Sequence, residues 1–239
     1  MIPKKIFQIY HNKSLIKKKV KDEIIELNPD YEYFLYNFEE GNDFVKNNFE
    51  KNISDKIIYY LDNIEKYAHK SDLLRYCLLY IYGGVYLDVD LKQKISLNEI
   101  IDQSENSDLI TSTGLTGNIT KFTEEEFIEN NKKYHPIIMN GFLIAKPRSN
   151  ILYDQIIFII NGPFKKRHSV NVYFFHDYLS KNNNNNLISF TKLNINNEFI
   201  YLFKEITYKT RGKNVFINKN NEIIMYSNNY LNKEDYLYS

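Results

Sequence analysis

The chain has no tryptophan, one cysteine, five prolines and eight glycines in 239 residues, and almost no net charge. The lone Cys77 excludes an intramolecular disulfide and a thiolate zinc site, so the core must hold the fold unaided. Lys+Arg 31 against Asp+Glu 30 leaves +1, too little for the electrostatic footprint of a nucleic-acid or anionic-membrane binder. No run of about 18 apolar residues occurs, and MIPKKIFQIY lacks a signal peptide's apolar core and cleavage site. A soluble, cytoplasmic protein with no transmembrane segment is therefore expected. What is abundant is Tyr (21) and Phe (16), with many Ile, Lys and Asn, residues that share AT-rich codons and so carry no function by themselves. Length and a 43% apolar content suit one sizeable domain.

The pattern alternates strands and helices. KIFQIYH, from Lys5 to His11, reads as a strand followed by the turn and cap residues Asn12, Lys13 and Ser14. Apolar residues at helical spacing from Leu15 to Leu27 predict a helix closed by Asn28-Pro29, its Lys17, Lys18 and Lys19 forming a solvated face. YEYFLYNF, from Tyr31 to Phe38, reads as a second strand. Such a β-α-β opening predicts an α/β protein with a mostly parallel central sheet, whose ligands sit beyond the carboxyl ends of its strands. Helical patterns follow over Asn42 to Phe49 and Asp55 to Tyr67, and the strongest runs from Ala68 to Tyr82, with Leu74, Cys77, Leu78 and Ile81 as a core stripe. Cys77 thus reads as a small buried hydrophobe.

Gly83-Gly84 stops that helix and VYLDVDL leads into a strand. Further on, strands are expected at Asp108 to Ser112 and Gly141 to Lys146, helices at Asn150 to Ile160 and Val172 to Leu179, and a polar loop at Asn182 to Asn186. The β-rich segments EFIYLF and EITYKT come next, then a hairpin in VFINKNNEIIMY turning at Lys219-Asn220-Asn221.

Residues i and i+2 of a strand share a face, so Asp88 and Asp90 would present two carboxylates about 7 Å apart on one side. Like charges so placed repel unless a hard divalent cation, Mn2+ or Mg2+, neutralises them with diphosphate oxygens completing its shell. Two solvent-facing aspartates at a strand end are also common, so the pair alone is a weak signal. Asp72 and Arg75 lie three apart on one helical face shortly before the glycines. Such a pair is ordinarily a surface salt bridge; alternatively, the carboxylate accepts sugar hydroxyls and the guanidinium fork holds a phosphate.

The ordered segment AHKSDLLRYCLLYIYGGVYLDVDL, from Ala68 to Leu91, resembles the core motif of the D-x-D sugar transferases of glycosyltransferase family 32. That family includes fungal initiating mannosyltransferases and bacterial capsule transferases. IPKKIFQIYH resembles its first strand, NPDYEY its second, and Asn140-Gly141-Phe142 with Ala145, Lys146 and Pro147 a later one; Asn161-Gly162-Pro163 resembles a small-Gly-Pro turn. The resemblance implies a GT-A fold in one domain, with 1–112 as the nucleotide-sugar half and 113–239 as the acceptor half. It implies metal-dependent retaining transfer from a UDP- or GDP-sugar to a glycan or other hydroxyl acceptor. Asp72, Arg75, Asp88 and Asp90 would be catalytic: Asp88 touching ribose or sugar, Asp90 binding the metal, Asp72 and Arg75 holding sugar and phosphate. Gln8, Ile9 and Tyr10 would line the base pocket, and Gly84, Tyr86, Asn140 and Gly141 would border the donor.

Tyr10 stands where the family carries Trp, and Tyr still stacks on a base. The family's late His and Ser-Trp pair are replaced by YSNNY, so Asn228 or Asn229 is expected to join Asp88 and Asp90 at the metal through a side-chain oxygen. His11 and His69 would lie near the cleft, while His135, His168 and His176 have no partner visible in sequence. The altered C-terminal motif leaves a competing reading, a degenerate member that binds a nucleotide sugar or glycan without transferring it. A phosphatase with Asp88 as nucleophile fits less well, since Leu91-Lys92 follows the second aspartate where such sites commonly continue Gly-Thr.

Overall fold

The computed structural model describes residues 1–116, 135–162, 170–183, 187, 189–208 and 213–227. The chain order begins β1 (Lys5–Ile9), α1 (Lys18–Leu27), β2 (Glu32–Tyr36), α2 (Phe38–Asn48), α3 (Lys51–Asn63), α4 (Tyr67–Tyr82), β3 (Gly84–Leu87), β4 (Leu91–Gln93) and α5 (Leu97–Gln103). It continues through β5 (Leu109–Thr116), β6 (His135–Ala145), α6 (Asn150–Asn161), α7 (Val170–Asn182), β7 (Lys192–Ile195), β8 (Glu198–Tyr208), β9 (Lys213–Ile217) and β10 (Ile223–Ser227).

Among the described residues one sheet runs in the order β2-β1-β3-β6-β5-β8-β9-β10-β4, with β7 along β8. The α/β class matches expectation, whereas the sheet is mixed rather than mostly parallel. The β-α-β opening pairs β1 with β2 and β3 in parallel, and β5 pairs β8 in parallel. The remaining pairs are antiparallel, because hairpins such as β9-β10 need no crossover helix. Following the pairings, β1, β3, β5, β8 and β10 all run one way, so their carboxyl ends share one edge of the sheet.

Alternation along the strands sends side chains to two cores. Phe7, Ile9, Tyr86, Leu143, Leu109 and Leu202 pack with buried residues of α2, α3, α4, α6 and α7, while Ile6, Val85, Leu87, Ile110, Phe142 and Phe203 pack with α1 and α5. Leu74, Cys77 and Leu78 form the expected stripe, but α4 also buries His69, Asp72 and Arg75, because helices and sheet cover it on several sides. Local chemistry sets the helix starts: Asn37 with Glu40 and Ser96 with Glu99 form capping boxes for α2 and α5. Asn12 caps a 3-10 turn at Lys13–Leu15 rather than α1, which begins three residues later than Leu15. Asn28 ties that layer together, donating to Gln93 Oε1 at 2.9 Å and accepting from the Leu97 amide at 2.7 Å.

Two further expectations change. EFIYLF and the described EITY of the next segment form the single strand β8, which pairs with β7 over its first residues, with β5 through its middle and with β9 from Lys204 to Tyr208. The VYLDVDL strand ends at Leu87; Asp88 to Leu91 form a turn closed by the Leu91 amide on Asp88 O at 3.1 Å, and Leu91 starts β4 against β10. The hairpin at Lys219 to Asn221 is present, as β9 and β10. Pro163, His168, Asn184 to Asn186, Asn228 and Asn229 lie outside the described residues.

The turn from α4 into β3 needs both glycines. Gly83 and Gly84 have φ of 62° and 103°, and a Cβ on Gly84 would stand 2.6 Å from Lys5 O. Gly84→Ala is therefore expected to lower unfolding stability by about 1–3 kcal/mol from the backbone conformation alone, with the clash adding more. A urea midpoint equal to the parent's would contradict this.

Candidate active site

The carboxyl edge of the sheet gathers most of the candidate residues around Asp88. That residue follows β3, its amide donating to Gly141 O at 2.8 Å. Its Oδ1 accepts the Tyr86 hydroxyl at 2.7 Å and lies 3.2 Å from Arg75 Nη2. Its Oδ2 occupies space that only a glycine leaves free, since a Cβ on Gly141 would stand 2.5 Å away. The side chain remains 35% exposed, so a carboxylate fixed from beneath still faces outward.

Arg75 is the buried hub, 3% exposed. Its Nη1 donates to Asn140 O at 2.6 Å and its Nε to Ser71 O at 3.2 Å, while Nη2 also lies 3.3 Å from Asp72 Oδ1. The guanidinium stacks 4.4 Å from the Tyr86 ring centroid. Burial alone would favour losing its proton, but Asp88, Tyr86 and Asp72 outweigh it and raise the pKa further. Asp72, 1% exposed, takes a second donor from Asn140 Nδ2 at 2.9 Å, and that amide also reaches the Tyr76 hydroxyl at 3.4 Å. The fork that the sequence pointed at a phosphate is thus directed to protein carboxylates and a carbonyl, because α4 carries it beneath Asp88 rather than into solvent.

Why Asn140 and Gly141 sit there follows from an irregularity in β6. Its register against β5 jumps from Ile144 opposite Ile110 to Met139 opposite Ser112, and the Thr111 hydroxyl lies 2.5 Å from Met139 O and 2.9 Å from Phe142 O. The bulged strand turns two carbonyls toward α4 and β3. Thr111 was not singled out in sequence, because nothing local marks a threonine that bridges a bulge.

The other expected residues divide. Gln8 is fully buried, its amide donating to Asp88 O at 3.3 Å and its oxygen accepting from Tyr33 at 2.6 Å, so it holds the Asp88 main chain rather than lining a base pocket. Ile9 points into the core, since alternation turns it away from Gln8. Gly84 lies at the opposite end of β3 from Asp88, where it serves the turn. Tyr86 is buried and supports Asp88 rather than bordering the donor. Tyr10 and His11 are partly exposed, with ring centroids 4.5 Å apart, and His11 stacks at 4.6 Å on Tyr67, itself 54% exposed. This aromatic face at the end of β1 is the accessible platform of the edge.

Asp90 lies in the turn, not one strand-step from Asp88, so the two carboxylates do not share a face as alternation predicted. Asp88 is held by α4, while the charge of Asp90 acts on Glu205 of β8. Burial pushes the Glu205 carboxyl up to about 7, with Asp90 adding in the same direction and the Asn214 amide, 3.1 Å from Oε1, opposing. Among the described residues no group of three His, Cys, Asp or Glu is placed to hold a metal.

Removing the hub would strand buried charge. Arg75→Met is expected to destabilise the chain by about 3–5 kcal/mol, since Asp72 loses its cation while remaining buried. Chemical denaturation of the two proteins measures it, and a loss below about 1 kcal/mol would mean that solvent neutralises Asp72.

Residues 16–107 match the family described as the glycosyltransferase sugar-binding region containing DXD motif. The chain is 27% identical over 128 residues to inositol phosphoceramide mannosyltransferase 3 of Schizosaccharomyces pombe, covering 52% of this chain and 34% of that protein. It is 33% identical over 95 residues to the mannosyl phosphorylinositol ceramide synthase SUR1 of Saccharomyces cerevisiae, covering 38% of this chain and 23% of that one. It thus spans about a quarter to a third of the length of these relatives. A solved structure of the PaToxG glycosyltransferase aligns at a TM-score of 0.49 and 15% identity, over 75% of this chain and 69% of that one. Residues 16–107, the stretch that contains Asp88 and Asp90, are thus similar to the sugar-binding region of the DXD-motif glycosyltransferases.

Proposed function

We propose that the chain transfers a sugar from a UDP- or GDP-linked donor to a hydroxyl acceptor, with retention of configuration. The observation that carries this reading is the Asp88 carboxylate, fixed by Arg75, Tyr86 and Gly141 at the carboxyl edge of the sheet inside the matched family segment. Mannose is the leading sugar, because the relatives named above are an inositol phosphoceramide mannosyltransferase and a mannosyl phosphorylinositol ceramide synthase. A GT-A reading of the fold goes with it, with 1–112 as donor half and the remainder as acceptor half. Since β6 inserts between β3 and β5, both halves share one sheet.

The edge also fits a divalent cation. Asp90 is partly exposed, Glu205 lies within reach of its charge, and Ser227 carries a buried hydroxyl with no partner among the described residues. An all-oxygen donor set of this kind suits Mn2+ or Mg2+, which typically takes one or two carboxylates and completes its shell with phosphate oxygens. When bound, the cation would neutralise charge on the departing nucleoside diphosphate. The protein's own residues do the rest. Asp88, its Oδ1 held, accepts hydroxyls of ribose or sugar through its outward oxygen. Arg75, itself held by Asp72 and the Asn140 carbonyl, keeps that carboxylate aimed, and Tyr10 offers a ring on which a base stacks. No side chain is assigned as nucleophile, which favours displacement on one face over a double displacement.

Purified chain with Mn2+ and a panel of UDP- and GDP-sugars is expected to release nucleoside diphosphate, and Asp90→Ala to abolish release while circular dichroism stays unchanged. Full activity in that variant would sink the metal assignment. Donor binding without release by the parent chain would favour the non-transferring alternative. Arg75→Lys is expected to cut turnover by about 10-fold or more, because one ammonium cannot reproduce the fork that meets Asp72, Asp88 and the Asn140 carbonyl together. Unchanged turnover would mean that charge at position 75 is enough.

A further inference from the structure

A row of small and polar residues crosses the sheet at the same carboxyl edge, on the face opposite α4. Ser227 ends β10 directly opposite Asn214 on β9, and also opposite Leu91 on β4, the residue after Asp90. Directly opposed residues put their side chains on one face, with Cβ atoms about 5 Å apart. Asn214 in turn donates to Glu205 Oε1 at 3.1 Å. Glu205 shares its face of β8 with Phe203, two residues before it, in the core on the α1 and α5 side. Its Oε2 lies beside Gly114 of β5, 2.8 Å from where a Cβ would stand, so the glycine leaves the carboxylate its room. The row thus runs Gly114, Glu205, Asn214, Ser227, and Asp90 stands at its end, near enough for its charge to act on Glu205.

Nothing in a hydrophobic sheet calls for such a row. Ser227 is 2% exposed and its Oγ has no hydrogen-bond partner among the described residues, although a buried hydroxyl left unpaired costs about 1–3 kcal/mol. Glu205 is held by an amide that donates to one of its oxygens, which orients it without neutralising it. The Glu205 carboxylate, met by an amide at one oxygen and a glycine at the other and lying within the field of Asp90, stands beside an unpaired hydroxyl, an arrangement complementary to a divalent cation.

We propose that Glu205 is a ligand of the divalent cation held by Asp90, with the Ser227 hydroxyl beside it and Asn214 orienting the carboxylate. This rests on the reading that the Asp88–Asp90 turn holds a cation, and it moves the protein's further donor from the asparagines after β10 to the middle of the sheet. The carboxylate supplies charge that an asparagine oxygen would not, and β8, paired with β5 up to Lys204 and with β9 from Lys204 to Tyr208, positions it within the sheet.

Titrating Mn2+ alone into the full chain, followed by the loss of its free paramagnetic signal, tests this without donor or turnover. Glu205→Gln keeps the oxygen that accepts from Asn214 and removes the charge. It is expected to weaken Mn2+ binding at least about 10-fold and to lose most of the rise in thermal midpoint that Mn2+ gives the parent. Without metal its midpoint should equal or exceed the parent's, an outcome that a merely structural carboxylate would not give. Ser227→Ala is expected to weaken binding by a smaller factor. Parent-like Mn2+ affinity in Glu205→Gln, with binding lost in Asp90→Ala, would overturn this assignment and leave the cation reading standing. Absence of Mn2+ binding by the parent chain would overturn both.

Discussion

The buried charge of Arg75 is the interaction on which the site depends. A guanidinium 3% exposed is tolerable only because Asp72, Asp88 and two main-chain carbonyls surround it, and those carboxylates are tolerable there only because of it. The cluster gathers three separated pieces of chain, the middle of α4, the end of β3 and the bulge in β6. It brings little net stability, since its attractions are set against the desolvation of every member. What it provides is position. Asp88 cannot swing without breaking contacts with Arg75 and Tyr86, and Gly141 closes behind its second oxygen.

The sheet supplies the second constraint. Parallel pairing of β1, β2 and β3 brings Tyr10, Gln8 and Asp88 to one edge, and the directions of β5, β8 and β10 bring Gly114, Glu205 and Ser227 to the same edge from the far side. The short turn from Asp88 to Leu91 bridges the two groups, because the chain leaves β3 on one side of the sheet and re-enters as β4 against β10. Asp88 therefore belongs to a network buried under α4, and Asp90 to a network on the other face. One D-x-D motif serves two environments, one fixed by an arginine and one within the field of a second carboxylate.

Much of this was legible in the sequence where the signal is local. Helix α4, the glycine pair after it and the strand that follows were read from periodicity and from residues that tolerate positive φ, and the resemblance spanning Ala68 to Leu91 drew attention to Asp72, Arg75, Asp88 and Asp90. What could not be read was depth. Gln8, Tyr86 and Arg75 are polar or amphipathic residues expected at a ligand, and the structure buries all three as supports, a distinction set by packing between distant elements. Alternation misled at Asp90, because a strand pattern carries no mark of where a turn ends the ladder. Thr111, Glu205 and Ser227 escaped notice for a related reason: each acts through the register of neighbouring strands, which no single segment encodes.

The absent tryptophan bears on these points unequally. At the end of β1 the indole is replaced by Tyr10, whose ring lies against His11, and His11 against Tyr67. The three rings are in contact and hold one another in place at little cost in side-chain entropy, since each has two rotatable bonds. An aromatic face at the end of β1 thus survives the substitution. The composition bias changes which residues build the stacking surface, but it leaves the Arg75 cluster untouched, because arginine, aspartate, asparagine and tyrosine supply its side-chain contacts. Loss of tryptophan is accordingly compatible with a fixed Asp88, and the chemistry of the edge depends on charge placement more than on the identity of its aromatic lining.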